Sequence, residues 1–108
     1  MTKTLETVLT ELQQGLRKIY GTRLKDLRLF GSQARGEAVA GSDIDVAMIL
    51  EDFSYTGEEI SRTAPFVSHL SLQYDCTISL LPLRTRDWKT RENPFLMNLR
   101  RESLSLPK

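Results

Sequence analysis

Two aspartates stand two positions apart at the start of an apolar segment, a spacing that suits metal binding. Asp43 and Asp45 project from the same face if residues 44–50 form a strand. Carboxylates this close repel each other, and Mg²⁺ relieves the repulsion while leaving positions open for substrate phosphates. In the alternative, Asp43 caps a turn and Asp45 is solvated. That reading is awkward, because five apolar residues follow Asp45 and burying a lone carboxylate is costly.

A glycine–serine pair before a short helical pattern offers a place for phosphates. Gly31 lets the backbone approach a ligand without a Cβ in the way, and the amides of the next turn can face an anion. Ser32 adds a hydroxyl donor. Arg35 either adds a cation or braces the loop against a carboxylate. Taken alone, a Gly-Ser before a helix is more often only a cap, so this pair gains meaning from the aspartates that follow.

A third carboxylate, Asp75, is predicted to begin a strand over residues 75–81. The glycine–serine pair and the two aspartates meet only if the strands of residues 24–30 and 44–50 run antiparallel. Asp75 joins them if the third strand runs parallel to the second, through a right-handed helical crossover. In two-metal phosphoryl transfer a further carboxylate completes the shell of one ion and helps to deprotonate the acceptor. The alternative is a solvated aspartate at a strand start.

The remaining elements follow from hydrophobic periodicity. Apolar residues at helical spacing predict a first helix that stops at Gly21: Leu5, Val8, Leu9, Leu12, Leu16 and Ile19. The strand of residues 44–50 is apolar nearly throughout, which predicts cover on both faces. Asn93-Pro94 predicts an N-cap and first-turn proline for a last helix to about Arg101. Residues 103–108 are expected to form a loose tail or an added strand, completing an α/β (α+β) fold with a small mixed sheet flanked by helices.

Between the second and third strands the pattern predicts a helix opened by a capping box. Thr56 with Glu59 three residues later fits that box. An inward stripe is expected from Ile60, Ala64, Val67 and Leu70, and Pro65 is expected to kink or restart the helix. A second, short helix is expected to be capped by Thr85 and to run through Trp88 and Lys89.

Length and composition limit the classes of protein to which the chain can belong. The 108 residues suffice for one compact domain, predicted over 1–108, and the net charge of +1 favours no strongly acidic or basic partner. With no long apolar run or signal peptide, we expect a cytoplasmic protein without membrane contact. The lone Cys76 is expected to fill core. His69 is expected to be solvated or hydrogen-bonded rather than a metal ligand. Trp88 and Phe95 either anchor a partner or pack on the sheet.

The segment from Gly31 to Val46 resembles, without a gap, the motif of the minimal nucleotidyltransferases in the DNA polymerase beta superfamily. That motif is Gly-Ser, one free residue, Ala-Arg-Gly, five free residues, then Ser-Asp-Ile-Asp and a hydrophobic residue. The resemblance implies a polymerase beta-like palm fold, two Mg²⁺ ions, and ATP or another nucleoside triphosphate as substrate. The implied roles are triphosphate binding by Gly31 and Ser32, and metal-bound catalysis by Asp43, Asp45 and Asp75. Arg35 and Ser42 are further candidates for nucleotide binding. The family usually continues with aliphatic residues after the third carboxylate, where this chain has Cys76 and Thr77.

The resemblance also implies an acceptor on another molecule. Relatives that modify antibiotics or extend nucleic acids carry extra domains for the second substrate. Family members of this size resemble the antitoxin of a pair whose toxin is a helical HEPN-domain ribonuclease, neutralised by binding and by AMP transfer to a tyrosine. A non-catalytic module that neutralises a toxin by binding alone is the alternative. Nucleic-acid binding through the arginines and lysines of residues 84–101 is less favoured, because such charges more often mark a solvated face. A homo-oligomer is left open.

Overall fold

A computed structural model describes residues 2–39 and 41–106 of the chain. The helices are α1 (Lys3–Tyr20), α2 (Gly31–Arg35), α3 (Thr56–Gln73), α4 (Thr85–Thr90) and α5 (Pro94–Glu102). The strands are β1 (Leu24–Phe30), β2 (Ile44–Leu50), β3 (Ile78–Arg84) and β4 (Leu104–Ser105). None of the described helices is long and apolar enough to cross a membrane. The last two residues of the predicted tail lie outside the described residues.

The four strands form one mixed sheet in the order β3-β2-β1-β4. β1 is antiparallel to both β2 and β4, whereas β2 and β3 are parallel and connected through α3. This arrangement confirms the predicted mixed sheet, and β4 is the added strand that was one of two expectations for the C-terminal segment. The antiparallel β1/β2 pair places the end of β1 beside the start of β2.

The face of the sheet under α1 and α3 carries the larger core. Sixteen of the described residues form this first cluster, which includes the inward faces of α1 and β2. Leu12 and Leu16 of α1 are fully buried there against Val46, Met48 and Leu50 of β2. The predicted stripe of α1 is confirmed except at Ile19, which is 39% exposed, because the neighbouring Tyr20 turns inward instead.

The opposite face carries a second, smaller cluster under α4 and α5. Its buried members are Ala47 and Ile49 of β2 and Leu96 and Leu99 of α5. β2 is therefore covered on both faces, as its apolar sequence predicts. The cap of α5 is also as predicted: the side chain of Asn93 accepts a hydrogen bond from the Leu96 amide at 2.8 Å.

Helix α3 differs from its prediction in both cap and inward face. Thr56 is the first helical residue rather than the cap, and Tyr55 at the cap position makes no side-chain hydrogen bond. Glu59, Thr63 and Leu70 are buried, whereas Ile60 and Ala64 are exposed. The reason is a polar partner on α1: the Tyr20 hydroxyl donates to the buried Glu59 carboxylate at 2.8 Å. The helix continues through Pro65 and does not restart there.

Strand β3 starts three residues later than predicted, because Asp75 ends α3. Asp75 has a positive φ of 49°, in the left-handed region that helices commonly use to terminate. The Cys76 amide donates to the Ser71 carbonyl at 3.0 Å and the Asp75 amide to the Leu72 carbonyl at 3.4 Å, which is the Schellman pattern. Pro82 lies within β3, where an edge strand tolerates it.

Candidate active site

The β1/β2 pairing brings Gly31 and Asp45 together at one rim of the sheet. Phe30, the last residue of β1, is the Cα partner of Asp45, and Gly31 follows directly. A Cβ built on Gly31 would lie 2.5 Å from Asp45 Oδ2, and Gly31 has a φ of 70°. A larger residue would push the Asp45 carboxylate aside and would strain the backbone at this positive φ. The rim therefore uses glycine to let a carboxylate lie directly against the corner between β1 and α2.

The electrostatics of Asp45 show a carboxylate held in an unfavourable place. Burial raises the pKa of Asp45, the negative charge of Asp43 raises it further, and the Arg35 cation partly opposes both. Asp43 is exposed, just before β2 begins, and Asp45 is partly buried. Two neighbouring carboxylates, one of them desolvated, are the kind of oxygen ligand set that a hard divalent cation stabilises. The pair thus fits Mg²⁺ by its donor chemistry.

The remaining residues of the motif close the loop between α2 and β2. The Ser42 hydroxyl accepts a hydrogen bond from the Val39 amide at 2.9 Å, and the Ser42 amide donates to the Val39 carbonyl at 3.0 Å. Arg35 forms an exposed ion pair with Glu37 at 3.2 Å, as in the bracing alternative, while its charge also acts on Asp45. Ser32, in the first turn of α2, is partly exposed. Ser42 therefore has a structural contact that its sequence position did not reveal.

Asp75 does not take the position predicted for the third carboxylate. It lies in the turn that ends α3, before β3, and the β3 residue that pairs with Asp45 is Ser79. Within residues 2–39 and 41–106, no group of three His, Cys, Asp or Glu side chains is placed to hold a metal ion. Within the described residues the rim brings Asp43 and Asp45 together, and the role of Asp75 as the third carboxylate stays a prediction.

A cleft of about 710 Å³ lies at the same end of the sheet but on the α1 face. Its walls include Thr4, Ile44 and Tyr74, together with Asp75 and Cys76. Side chains alternate along β2, so Ile44 points to the α1 face and Asp45 to the α5 face. The cleft is also lined by Ser42 of the motif, so it adjoins the loop that leads to Asp43 and brings Ser42 and Asp75 to one cavity, whereas Asp45 lies on the opposite face of the sheet.

Phe30, the strand partner of Asp45, packs against Phe95 on the α5 face, a pairing that sequence reasoning missed. Phe30 packs against the second cluster, and its ring centroid is 6.3 Å from that of Phe95, with the rings at 77°. Phe95 is 50% exposed. Trp88 also packs on this cluster, with the Arg28 guanidinium 5.2 Å from its ring centroid. The motif spacing says nothing of this, because α5 reaches the rim from a distant part of the chain.

Comparison with known families agrees with this geometry. Residues 9–98 match the profile of the nucleotidyltransferase domain family. The chain belongs to the nucleotidyltransferase domain family. The matched region contains β1, β2 and β3 with Gly31, Ser32, Asp43 and Asp45, and it also contains Phe30 and Phe95. No curated protein sequence matches the chain closely enough to count as a relative.

Solved structures with the nucleotidyltransferase fold superimpose on most of the chain. A toxin–antitoxin complex with AMP-PNP gives a TM-score of 0.61 at 18% identity, covering 94% of this chain and 72% of that one. A candidate nucleotidyltransferase from Sulfolobus solfataricus superimposes with a TM-score of 0.60 at 14% identity, covering 95% of this chain and 76% of that one. A mutant of the toxin–antitoxin pair MntA-HpeT superimposes with a TM-score of 0.59 at 18% identity, covering 89% of this chain and 70% of that one. At these identities the likeness shows a shared fold.

Proposed function

We propose that the chain transfers a nucleoside monophosphate, AMP from ATP, to an acceptor at the rim formed by Gly31, Ser32, Asp43 and Asp45. The observation that carries the proposal is the contact of the Asp45 carboxylate with the Gly31 corner, beside a second carboxylate. Membership of the nucleotidyltransferase domain family supports the reaction class. The MntA-HpeT mutant carries Asp-to-Glu changes at two positions two apart, the spacing of Asp43 and Asp45.

In this reaction an acceptor oxygen attacks the α-phosphorus of the triphosphate. A new P–O bond forms, the bond from the α-phosphorus to the oxygen that bridges to the β-phosphate breaks, pyrophosphate leaves, and the acceptor hydroxyl releases its proton to solvent. Two Mg²⁺ ions, when bound, neutralise charge on the attacking and leaving oxygens. Asp43 and Asp45 would hold these ions through their carboxylate oxygens. Ser32 donates its hydroxyl to the triphosphate, and Arg35 supplies a nearby cation.

The test compares three single substitutions that remove one carboxylate charge each. We expect Mg²⁺ with ATP at about 100 times its Kd to stabilise the unaltered chain by about 2.7 kcal/mol against unfolding. Asp43→Asn and Asp45→Asn should abolish that gain and lower nucleotide transfer by at least about 100-fold. Asp75→Asn is the matched control, because asparagine also adopts the left-handed conformation and Asp75 lies outside the proposed ligand set.

Thermal melts with and without EDTA measure the first effect. Equal stabilisation of all four proteins by Mg²⁺ and ATP would contradict the assignment of Asp43 and Asp45. Loss of the gain in Asp75→Asn, with an unchanged melting temperature of the free protein, would restore Asp75 to the ligand set.

We further propose that the acceptor is a tyrosine hydroxyl on a partner toxin, a HEPN-domain ribonuclease, in the cytoplasm. Two of the structural neighbours are toxin–antitoxin complexes, which supports a toxin as the partner. Incubating the chain and the toxin with ATP labelled at the α-phosphate should label the toxin. The label should be absent with Asp43→Asn, and a tyrosine-to-phenylalanine change at the modified position should also remove it.

A binding-only antitoxin is the second candidate, and one observation favours it. The β3 residue opposite Asp45 is Ser79, so a third carboxylate is missing from that position. Growth rescue in cells that express the toxin separates the candidates. A catalytic antitoxin loses rescue with Asp43→Asn, whereas a binding-only antitoxin keeps full rescue with both Asn substitutions.

A further inference from the structure

The α5 face of the rim carries a corner of two aromatic rings, Phe30 and Phe95. Their ring planes are 77° apart with centroids 6.3 Å from each other, an edge-to-face arrangement. Phe30 is the strand partner of Asp45 on the same face. Cross-strand Cβ atoms lie about 5 Å apart, so the Phe95 ring is on the order of 10 Å from Asp45. That is the scale of one nucleotide from phosphate to base.

Packing alone does not account for the position of Phe95. The inward residues of α5 are Leu96 and Leu99, and half of the Phe95 surface stays in water. Single exposed apolar residues are common, so exposure decides nothing by itself. Position distinguishes this ring: it contacts the residue opposite Asp45, and α5 begins at Pro94, so its first turn lies at the rim. The partly exposed ring therefore lies beside the strand partner of Asp45.

We propose that Phe95, with Phe30 at its edge, stacks against the nucleobase of the nucleotide bound at Gly31, Ser32, Asp43 and Asp45. This inference rests on the proposed function and adds the base subsite to it. A planar base can lie on one ring while its edge meets the other, as aromatic pairs prefer. Every base offers a π face, so stacking tolerates any base and contributes most for the larger purines. A base is the expected occupant because it must lie one nucleotide length from the bound phosphates.

The experiment separates the base from the phosphates by comparing two ligands. Binding of ATP and of inorganic tripolyphosphate, each with Mg²⁺, is measured by calorimetry for the unaltered chain and its variants. We expect Phe95→Ala to weaken ATP about ten- to a hundredfold and to leave tripolyphosphate unchanged. Phe95→Leu should weaken ATP almost as much, because leucine keeps apolar bulk but offers no ring. Phe95→Trp should retain binding.

Met97→Ala is the matched control, because Met97 is equally exposed on the same helix, at 52%. The Met97→Ala substitution should change the affinity for neither ATP nor tripolyphosphate. Unchanged ATP affinity in Phe95→Ala overturns the base subsite, and an acceptor-holding role for the ring would give this result. Equal weakening of both ligands also overturns it, since that marks a distorted rim. Failure of the unaltered chain to bind either ligand defeats the proposed function itself, and with it this inference.

Discussion

The two faces of the sheet are built differently. The α1 face is closed by sixteen described residues of the first cluster, from Leu5 to Leu106, and several of them are fully buried. The α5 face buries four, and its neighbours Phe30, Leu83 and Trp88 stay partly exposed. The same face carries Asp45 with its raised pKa. The fold thus concentrates its stability on one face and leaves the other open enough to hold charge and bind a ligand.

The difference between the two faces is tested most directly by replacing one buried leucine on each face with alanine. Leu12→Ala should lower the free energy of unfolding by about 4 to 5 kcal/mol, because Leu12 is fully buried in the first cluster and the cavity cannot collapse. Leu99→Ala should cost about 2 to 3 kcal/mol, because the half-covered α5 face can relax around the gap. Urea titration of both variants measures the difference. Equal losses in the free energy of unfolding would mean that the two faces contribute equally to stability.

A buried polar contact joins α1 to α3 on the stable face. Tyr20 is 5% exposed and Glu59 is 3% exposed, and Arg62 lies 3.3 Å from the Glu59 carboxylate. Tyr20→Phe should cost about 1 to 3 kcal/mol, because the buried carboxylate loses one donor. Tyr55→Phe is the control, since the Tyr55 ring is 68% exposed. The Tyr55→Phe substitution should leave the free energy of unfolding nearly unchanged.

The Tyr20 contact also has a pH signature. Burial raises the pKa of Tyr20 above its usual value of about 10, and the hydrogen bond to Glu59 and its charge raise it further. Because the folded pKa exceeds the unfolded one, the stabilisation is complete below about pH 10 and is lost as the pH rises toward the folded value. The stability difference between the unaltered chain and Tyr20→Phe should therefore shrink above pH 10. A pH-independent difference would exclude ionisation of Tyr20 as the cause.

Local patterns in the sequence predict what depends on neighbours along the chain. The bounds of β1 and β2 and the Asn93 cap were all predicted, because alternation and capping are local effects. The meeting of Gly31 with Asp45 was predicted as well, since a connection of about a dozen residues lets the two strands pair antiparallel. These features place the candidate site.

The errors come from contacts across the fold and, at Asp75, from a local backbone conformation. The predicted inward face of α3 is confirmed at Val67 and Leu70 but wrong at Ile60 and Ala64, because Glu59 is buried instead by a partner 39 positions away on α1. Asp75 was placed on β3, because its alternation with Thr77 and Ser79 resembles a strand, whereas its positive φ ends α3. The pairing of Phe30 with Phe95 has no local signal, because α5 folds back onto β1 from the far end of the chain.

The smallest predicted effect compares the starts of α3 and α5. Asn93→Ala should cost about 1 kcal/mol, because the Leu96 amide loses its side-chain acceptor. Thr56→Ala should cost less than about 0.5 kcal/mol, because Thr56 is already inside the helix and caps nothing. Chemical denaturation resolves this difference. Because α5 carries Phe95, Asn93→Ala should also loosen the aromatic corner and weaken ATP more than tripolyphosphate. Equal ATP binding in both variants would show that the corner does not depend on the cap.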